Sequence, residues 1–333
     1  MLGSALYSFT DPDDYEVSLH ELTADLVLTQ PGAFAARLTR LALPRLHLVS
    51  VQETLPRVAY VSLPPTRVFV SFFTQPASTA VWKGLELRPG DILVHSRGER
   101  AHHRATGASH WTFLSLAPEL FAAHGRALTG QTLDPPPIGQ VRRPKRADRT
   151  HLLDLSARVR RELERRPFVG THPEIAHSLE QELMHALVTC LTSGDAPAES
   201  RANLRHTAVM AGFEDLLAAH HDQTPPVPEL CATLGTSDRT LRACCAAFLG
   251  MSPGQYAHLR RLKRARSALL HADPATARVA EIARRFGIIQ AGRFAVEYRT
   301  AYGETPSTTV QRAKNVWDDQ NLPLLHSQSV GNR

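Results

Sequence analysis

The chain has 333 residues, 43% of them hydrophobic, with a mean hydropathy of -0.22 and a formal net charge of +6. That length exceeds one ordinary core and implies two domains, and the composition excludes a disordered chain. No apolar run approaches the 18 residues of a membrane helix. The charge is uneven: residues 1–200 carry as many acidic as basic side chains, whereas residues 201–314 hold 16 Lys and Arg against 9 Asp and Glu. A basic segment beside a neutral one is the electrostatic footprint of nucleic-acid binding.

In chain order, residues 1–40 read as partly helical, with Phe34, Leu38 and Leu41 at helical spacing. From residue 43 to about 117 the period shifts towards two. Strands are expected at Leu46–Thr54, Val58–Leu63, Val68–Thr74, Ser78–Leu85, Asp91–Ser96 and Trp111–Leu116, separated by Pro and Gly punctuation. Short strands at about ten-residue spacing indicate a sandwich or barrel. Within it, Leu87–His95 resembles the Pro-Gly-Asp turn and strand of cupin-type barrels.

A metal site would draw on His47, His95, His102, His103, His110 and Glu99. Cupin-type metal centres need two His one residue apart, whereas His102 and His103 are adjacent and on a strand would point to opposite faces. No metal, no other cofactor and no catalytic residue is therefore expected; the histidines read as hydrogen-bonded or solvent-facing groups on a turn rich in Arg97, Arg100 and Arg104. Barrel mouths often hold small ligands, and Tyr60, Phe72, Trp82, His95 and Trp111 are the candidate walls of an effector pocket. Plain core packing is the alternative for each.

A helix at 118–130 follows, then the Pro-rich connector at 134–137 and two amphipathic helices, about 147–166 and 173–192. These either pack on the barrel or serve a homodimer. Residues 194–200 are small and polar and read as the interdomain linker. Four cysteines, Cys190, Cys231, Cys244 and Cys245, show no zinc spacing and read as small core residues of a reducing compartment. The amino terminus lacks a cationic segment followed by a long apolar stretch, so no signal peptide and a cytoplasmic location are expected.

After a helix at about 206–221, one pattern occurs twice. Glu229 is followed six residues later by Gly235, then by a helical stretch ending at Gly250 and by Pro253; Glu281, Gly287, Gly303 and Pro306 repeat the order. Each copy reads as a helix-turn-helix, its first Gly ending a helix in the left-handed conformation. The second helices carry buried stripes at Leu241, Cys245 and Leu249, and at Phe294, Tyr298 and Tyr302. Arg239, Thr240 and Arg242 are left on an exposed face near a helix start, where a major groove is read. Between the copies a helix from Pro253 to about His271 has an apolar stripe flanked by Arg260, Arg261, Lys263, Arg264 and Arg266. At 1.5 Å per residue it spans roughly 28 Å, comparable with the ~34 Å turn of DNA.

These residues resemble the AraC/XylS family of transcriptional regulators over about 100 residues, from Gly212 to Lys314. The resemblance rests on 234–241, 249–253, Tyr256 with 261–265, Gly292–Phe294 and 302–307. It implies two helix-turn-helix units on one long helix, both second helices in the major groove. Ser237, Arg239, Thr240, Arg242, Ala243, Gln290, Gly292, Arg293 and Arg299 are its DNA-facing positions. Ala243 stands where the family often has Arg, and Ile288–Ala291 replaces an aromatic-rich turn, so the second unit is expected to add mainly phosphate contacts through Arg293 and Arg299.

The expected fold class is α+β. It comprises a cupin-like β-barrel sensor at 1–130, the helical pair and linker at 131–200, an all-α DNA-binding domain at 206–314 and a disordered tail at 315–333. The function this implies is a sequence-specific transcriptional activator binding promoter DNA, with RNA polymerase and a small-molecule effector as partners and no membrane. The alternative is a cupin-type metal enzyme fused to a DNA-binding module; a DNA-alkylation response protein would need a cysteine cluster that residues 1–189 lack.

Overall fold

The structure is a computed structural model, described for residues 3–74, 79–165, 172–196, 201–220, 225–273 and 275–312. Its first half pairs two antiparallel sheets. One runs in the order β1 (Gly3–Phe9), β3 (Ala36–Ala42), β4 (Leu46–Glu53), β11 (Ser109–Leu116), β6 (Val68–Phe73), β9 (Ile92–Val94) and β12 (Gln140–Arg142). The other runs β2 (Thr23–Leu28), β5 (Arg57–Ser62), β10 (Arg100–Ala105), β7 (Ala80–Trp82) and β8 (Leu85–Leu87). Between the first two strands lies one short helix, α1 (Pro12–Val17), started by the Asp11 side chain, which accepts from the Asp13 amide.

Alternation and β-branched content place the central strands where the sequence predicts them. Two readings are corrected. Phe34, Leu38 and Leu41 do not share a helix: residues 36–42 form β3, because pairing with β1 and β4 supplies every backbone partner and strand alternation buries Leu38 on one face and Leu41 on the other. The run at 78–85 breaks at Lys83 and Gly84, both with positive φ, so β7 and β8 form a hairpin there; residue 78 lies outside the described residues.

Outside the larger sheet pack α2 (Pro118–Thr129), α3 (Arg146–Arg165) and α4 (Pro173–Ser193). Their stripes (Leu120 and Phe121; Leu152, Leu155 and Val159; Leu183, Leu187 and Leu191) join Leu46, Leu48, Val70 and Leu114 of the sheet in one core. Glu180 of α4 is wholly buried and is met by the Arg45 amide and guanidinium at 2.7–3.0 Å. The 194–200 linker is described only to residue 196, and the tail beyond 312 lies outside the described residues.

The second half is helical: α5 (Arg201–Ala219), α6 (Val227–Leu234), α7 (Asp238–Leu249), α8 (Pro253–Leu270), α9 (Val279–Arg285) and α10 (Ala291–Tyr302). Helix α8 starts in a capping box between Ser252 and Gln255 and serves two cores. Its Tyr256 and Ala257 pack with α5–α7, while Leu262, Ala265 and Leu269 pack with Ala283, Phe294 and Tyr298. Val27 and Val58 of the β-domain belong to the first of these cores, so the halves are not beads on a string.

Leu187→Ala, in the core shared by α4 and the sheet, should cost about 2–5 kcal/mol, whereas Ile175→Ala on the exposed side of the same helix should stay within about 0.5 kcal/mol. Urea unfolding followed by circular dichroism checks the pair; equal effects would mean that α4 does not pack as described.

Candidate nucleic-acid interface and effector cavity

Each helix-turn-helix is built by local rules. Helix α6 ends at Gly235 with φ 59°, and the turn after α9 contains Gly287 with φ 71°. Helix α7 is started by Ser237, whose hydroxyl oxygen accepts from the Thr240 amide at 3.1 Å and lies 2.8 Å from the Thr240 hydroxyl. Gln290 stands at the corresponding position of α10 and makes no side-chain cap bond. Leu241, Cys244, Cys245, Phe248 and Leu249 bury one side of α7; Phe294 and Tyr298 bury one side of α10. All four cysteines are buried and form no disulfide.

The opposite faces are open. Ser237, Arg239, Arg242, Ala243, Gln290, Gly292, Arg293 and Arg299 are exposed and Thr240 is half-buried. Arg242 Nε holds both Asp238 oxygens, at 3.0 and 2.8 Å, and Arg293 Nε holds Glu297 at 2.7 Å, so an own-helix carboxylate orients each guanidinium while its terminal NH2 groups stay unbonded among the described residues. Arg239 and Arg299 have no side-chain partner among the described residues. In the atypical turn Ile288 packs into the second core, while Ile289 is 82% exposed.

The basic flank of α8 behaves otherwise. Arg260 and Arg266 are buried, against acids of the β-domain. Arg260 pairs with Asp25 and with buried Glu214 of α5, and Lys263 bridges Glu16 and Asp25 at 2.6 and 2.5 Å. Arg266 reaches Asp11, Asp13 and Glu304 at 2.5, 2.6 and 2.8 Å, and Arg312 adds a bond to Asp11 at 2.7 Å. Burial alone would raise the Asp25 carboxyl, but Lys263 and Arg260 beside it outweigh that and hold it below the ordinary range. Asp11, Asp13, Glu16 and Asp25, four of the six acids of residues 11–25, were invisible in a net charge of zero; the signal was their clustering.

One sheet separates this interface from a cavity. On β2, Ala24 and Leu26 face the cavity while Asp25 and Val27 face the helical domain; on β5, Ala59 and Val61 face inward while Val58 packs outward. On β10, His103 lines the cavity and His102 donates outward to Glu214 at 2.7 Å. Residues 100–104 are thus a strand rather than the expected turn, because β5 and β7 pair with both of its edges. Helix α1 spans the same divide: Tyr15 lines the cavity and donates to Glu53 at 2.8 Å, while Asp13 and Glu16 hold α8.

The cavity measures about 50 Å³ and is walled largely by apolar side chains from both sheets. Of the five expected wall residues, His95 and Trp111 face it, and Phe72 borders it with its side chain in the core under α2–α4. Tyr60 does not: strand alternation turns it to the outer face, with its ring 4.7 Å from that of His102. Trp82 stands behind His95, 6.0 Å away, in the core with Leu93 and Val141. The polar wall groups that the sequence did not single out are Glu53, Arg57 and Ser71; His103, named there only as a metal candidate, joins them. Glu53 accepts from Tyr15, Arg57, Ser109 and Trp111. Ser71 lies 2.8 Å from His95 Nε2, whose Nδ1 meets Glu99 at 3.1 Å. Burial would raise the Glu99 carboxyl, but bonding to His95 and the Lys83 ammonium bring it down to about 2. Burial, with His95 and Arg57 adding to it, pushes His103 well below its usual value, and its ring has no hydrogen-bond partner among the described residues. Among those residues no group of three or more His, Cys, Asp or Glu stands where it could hold a metal ion, and no helix is long and apolar enough to cross a membrane.

A basic all-α domain of two helix-turn-helix units sharing one long helix defines a class of DNA-binding module. Residues 230–312 match the family described as "Helix-turn-helix domain". The "Probable thc operon regulatory protein" of Rhodococcus erythropolis is 32% identical over 144 residues, 42% of this chain and 42% of that one. The "XylDLEGF operon transcriptional activator 1" of Pseudomonas putida is 35% identical over 91 residues, 27% of this chain and 28% of that one. A solved structure described as the AraC-like transcriptional activator CuxR aligns over 79% of this chain and 96% of that one, at 16% identity and a TM-score of 0.41. The carboxyl-terminal third of the chain is therefore a helix-turn-helix domain similar to that of curated operon regulators. The match covers less than half the length of either relative.

The buried histidines set a pH dependence. Burial, with Arg260 behind it, lowers His102 to about 3, and burial with Arg160 lowers His110 to about 4. Both stay neutral in the fold, whereas the unfolded chain takes up protons below about 6.5. The unfolded state then binds more protons, so stability should fall as pH drops from 7 to 5. His110→Gln should flatten the slope of the urea midpoint across that window; an unchanged slope would contradict the assignment.

Proposed function

We propose that the protein is a sequence-specific, DNA-binding transcriptional regulator. The observation that carries this reading is the contrast between two kinds of basic residue: those on α7 and α10 are exposed, while Arg260, Lys263 and Arg266 of α8 are taken by carboxylates of the β-domain. A solvated basic helix would show no such division. Helix α7 enters the major groove, with Arg239 and the terminal NH2 groups of Arg242, which Asp238 holds through Nε, reaching base edges. Ser237, Thr240 and Ala243 line the same approach. Helix α10, with Gln290 and Gly292 at its start, contributes phosphate contacts through Arg293 and Arg299, since Ile289 and Ala291 offer bases no hydrogen bond.

The β-domain is the sensor in this reading. Its cavity is about a third of the ~150 Å³ that admits benzene, so an effector larger than a few atoms enters only as wall side chains part. The walls on β2, β5, β10 and α1 are also the docking face of the helical domain, which gives occupancy a physical route to DNA binding. Activation, contact with RNA polymerase and a homodimer through α3 and α4 follow from the resemblance to regulators described as activators. Among the described residues no side-chain arrangement favours the metal-enzyme alternative.

Selection of random duplexes by the full chain, followed by sequencing, tests the reading. Arg239→Ala should cost about 1–3 kcal/mol at one base position and relax preference there. Arg299→Ala should weaken all duplexes alike and reduce the log–log salt slope by about 0.9. Enrichment of no sequence, or binding that follows charge alone, would overturn it.

A further inference from the structure

The outward face of β10 carries three basic side chains in alternate positions: Arg100, His102 and Arg104. The first two meet the carboxylates of α5. Arg100 donates to Asp215 at 2.5 Å and His102 to Glu214 at 2.7 Å. The third has no such partner. Arg104 reaches past α5 to the turn between α7 and α8, where its guanidinium lies against Gly250. It makes no hydrogen bond or ion pair within the described residues, and its Nε is buried without an acceptor. Desolvation pulls its basicity down, opposed only by Glu86 acting from beyond ion-pair distance. The carbonyl end of α7 beside it offers a partial charge and no more.

This side chain opens on a crevice of about 450 Å³ between the two domains, within the size range of small-molecule sites. The β-domain supplies Pro56, Ala105 and Arg104 to its walls; the helical domain supplies Leu249, Met251 and Leu259. The other titratable group facing it, His258, is already held by Glu297 at 3.0 Å. The crevice is separate from the barrel cavity, with which it shares no lining residue.

We propose that this crevice is a second ligand site, for an organic anion with a compact apolar body. The anionic head takes the place at Arg104 that Asp215 and Glu214 fill for its strand neighbours, where the guanidinium can be met by two oxygens. The body covers Leu249, Met251, Leu259 and Pro56. Since the walls come from both halves, such a ligand fastens the α7–α8 turn to the barrel, whatever occupies the barrel itself.

The test uses the full chain and two fluorescent probes of similar shape, 1-anilinonaphthalene-8-sulfonate and the uncharged N-phenyl-1-naphthylamine. The sulfonate should bind the natural protein about tenfold or more tightly than Arg104→Met, consistent with loss of a charge-assisted contact. Arg104→Lys should fall between them, and the uncharged probe should not separate the three. Met251→Trp, which fills the crevice without touching charge, should weaken both probes. Equal sulfonate affinity for the natural protein and Arg104→Met would overturn the proposal, as would sulfonate binding insensitive to Met251→Trp. Matching far-ultraviolet circular dichroism and urea midpoints show that each variant is folded.

Discussion

The arrangement of the molecule depends on buried and half-buried charge pairs between α8 and the amino-terminal acids. Arginines and lysines along one flank of an amphipathic helix would ordinarily stay in water. Here Arg260 and Arg266 are buried because Asp11, Asp13, Asp25 and Glu214 meet them. Removing a single partner from such a pair leaves a desolvated charge, which costs about 3–5 kcal/mol. The pairs therefore specify one relative placement of the domains more than they add net stability, and shared contacts through Val27 and Val58 supply the apolar part.

That placement makes the smaller sheet a partition. A strand puts successive side chains on opposite faces, so neighbours in sequence serve different tasks: Leu26 the cavity and Asp25 the clamp, His103 the cavity and His102 the clamp. A sheet one residue thick cannot be pushed from one side without the other side feeling it. The same geometry explains why the second halves of the helix-turn-helix units remain open: the barrel takes α5 and the flank of α8, and touches α7 through Phe248, the far end from its exposed first turn.

Much of this was legible from the chain. The repeated Glu, Gly, Gly and Pro spacing placed α6, α7, α9 and α10, because left-handed glycines and helix starts are local events. The long apolar stripe placed α8, and period-two segments placed β4, β5, β6 and β11. Residues 34–41 misled because three apolar residues at helical spacing carry no information on whether neighbouring strands exist to pair with them. Residues 100–104 misled because a strand with one face in a cavity and the other against a helical domain reads as a polar, Arg-rich turn.

The sequence by itself determined the central strands, the long helices and the double helix-turn-helix, whose signals lie within a few turns of chain. It also determined that positive charge gathers in the last third. Only the tertiary structure decided where that charge is spent, since Asp11 and Arg266 stand 255 residues apart and no local rule relates them. It likewise decided which aromatic residues line the cavity: Tyr60 and Trp111 are both strand aromatics in sequence, and the sidedness of a strand is fixed by what packs against it.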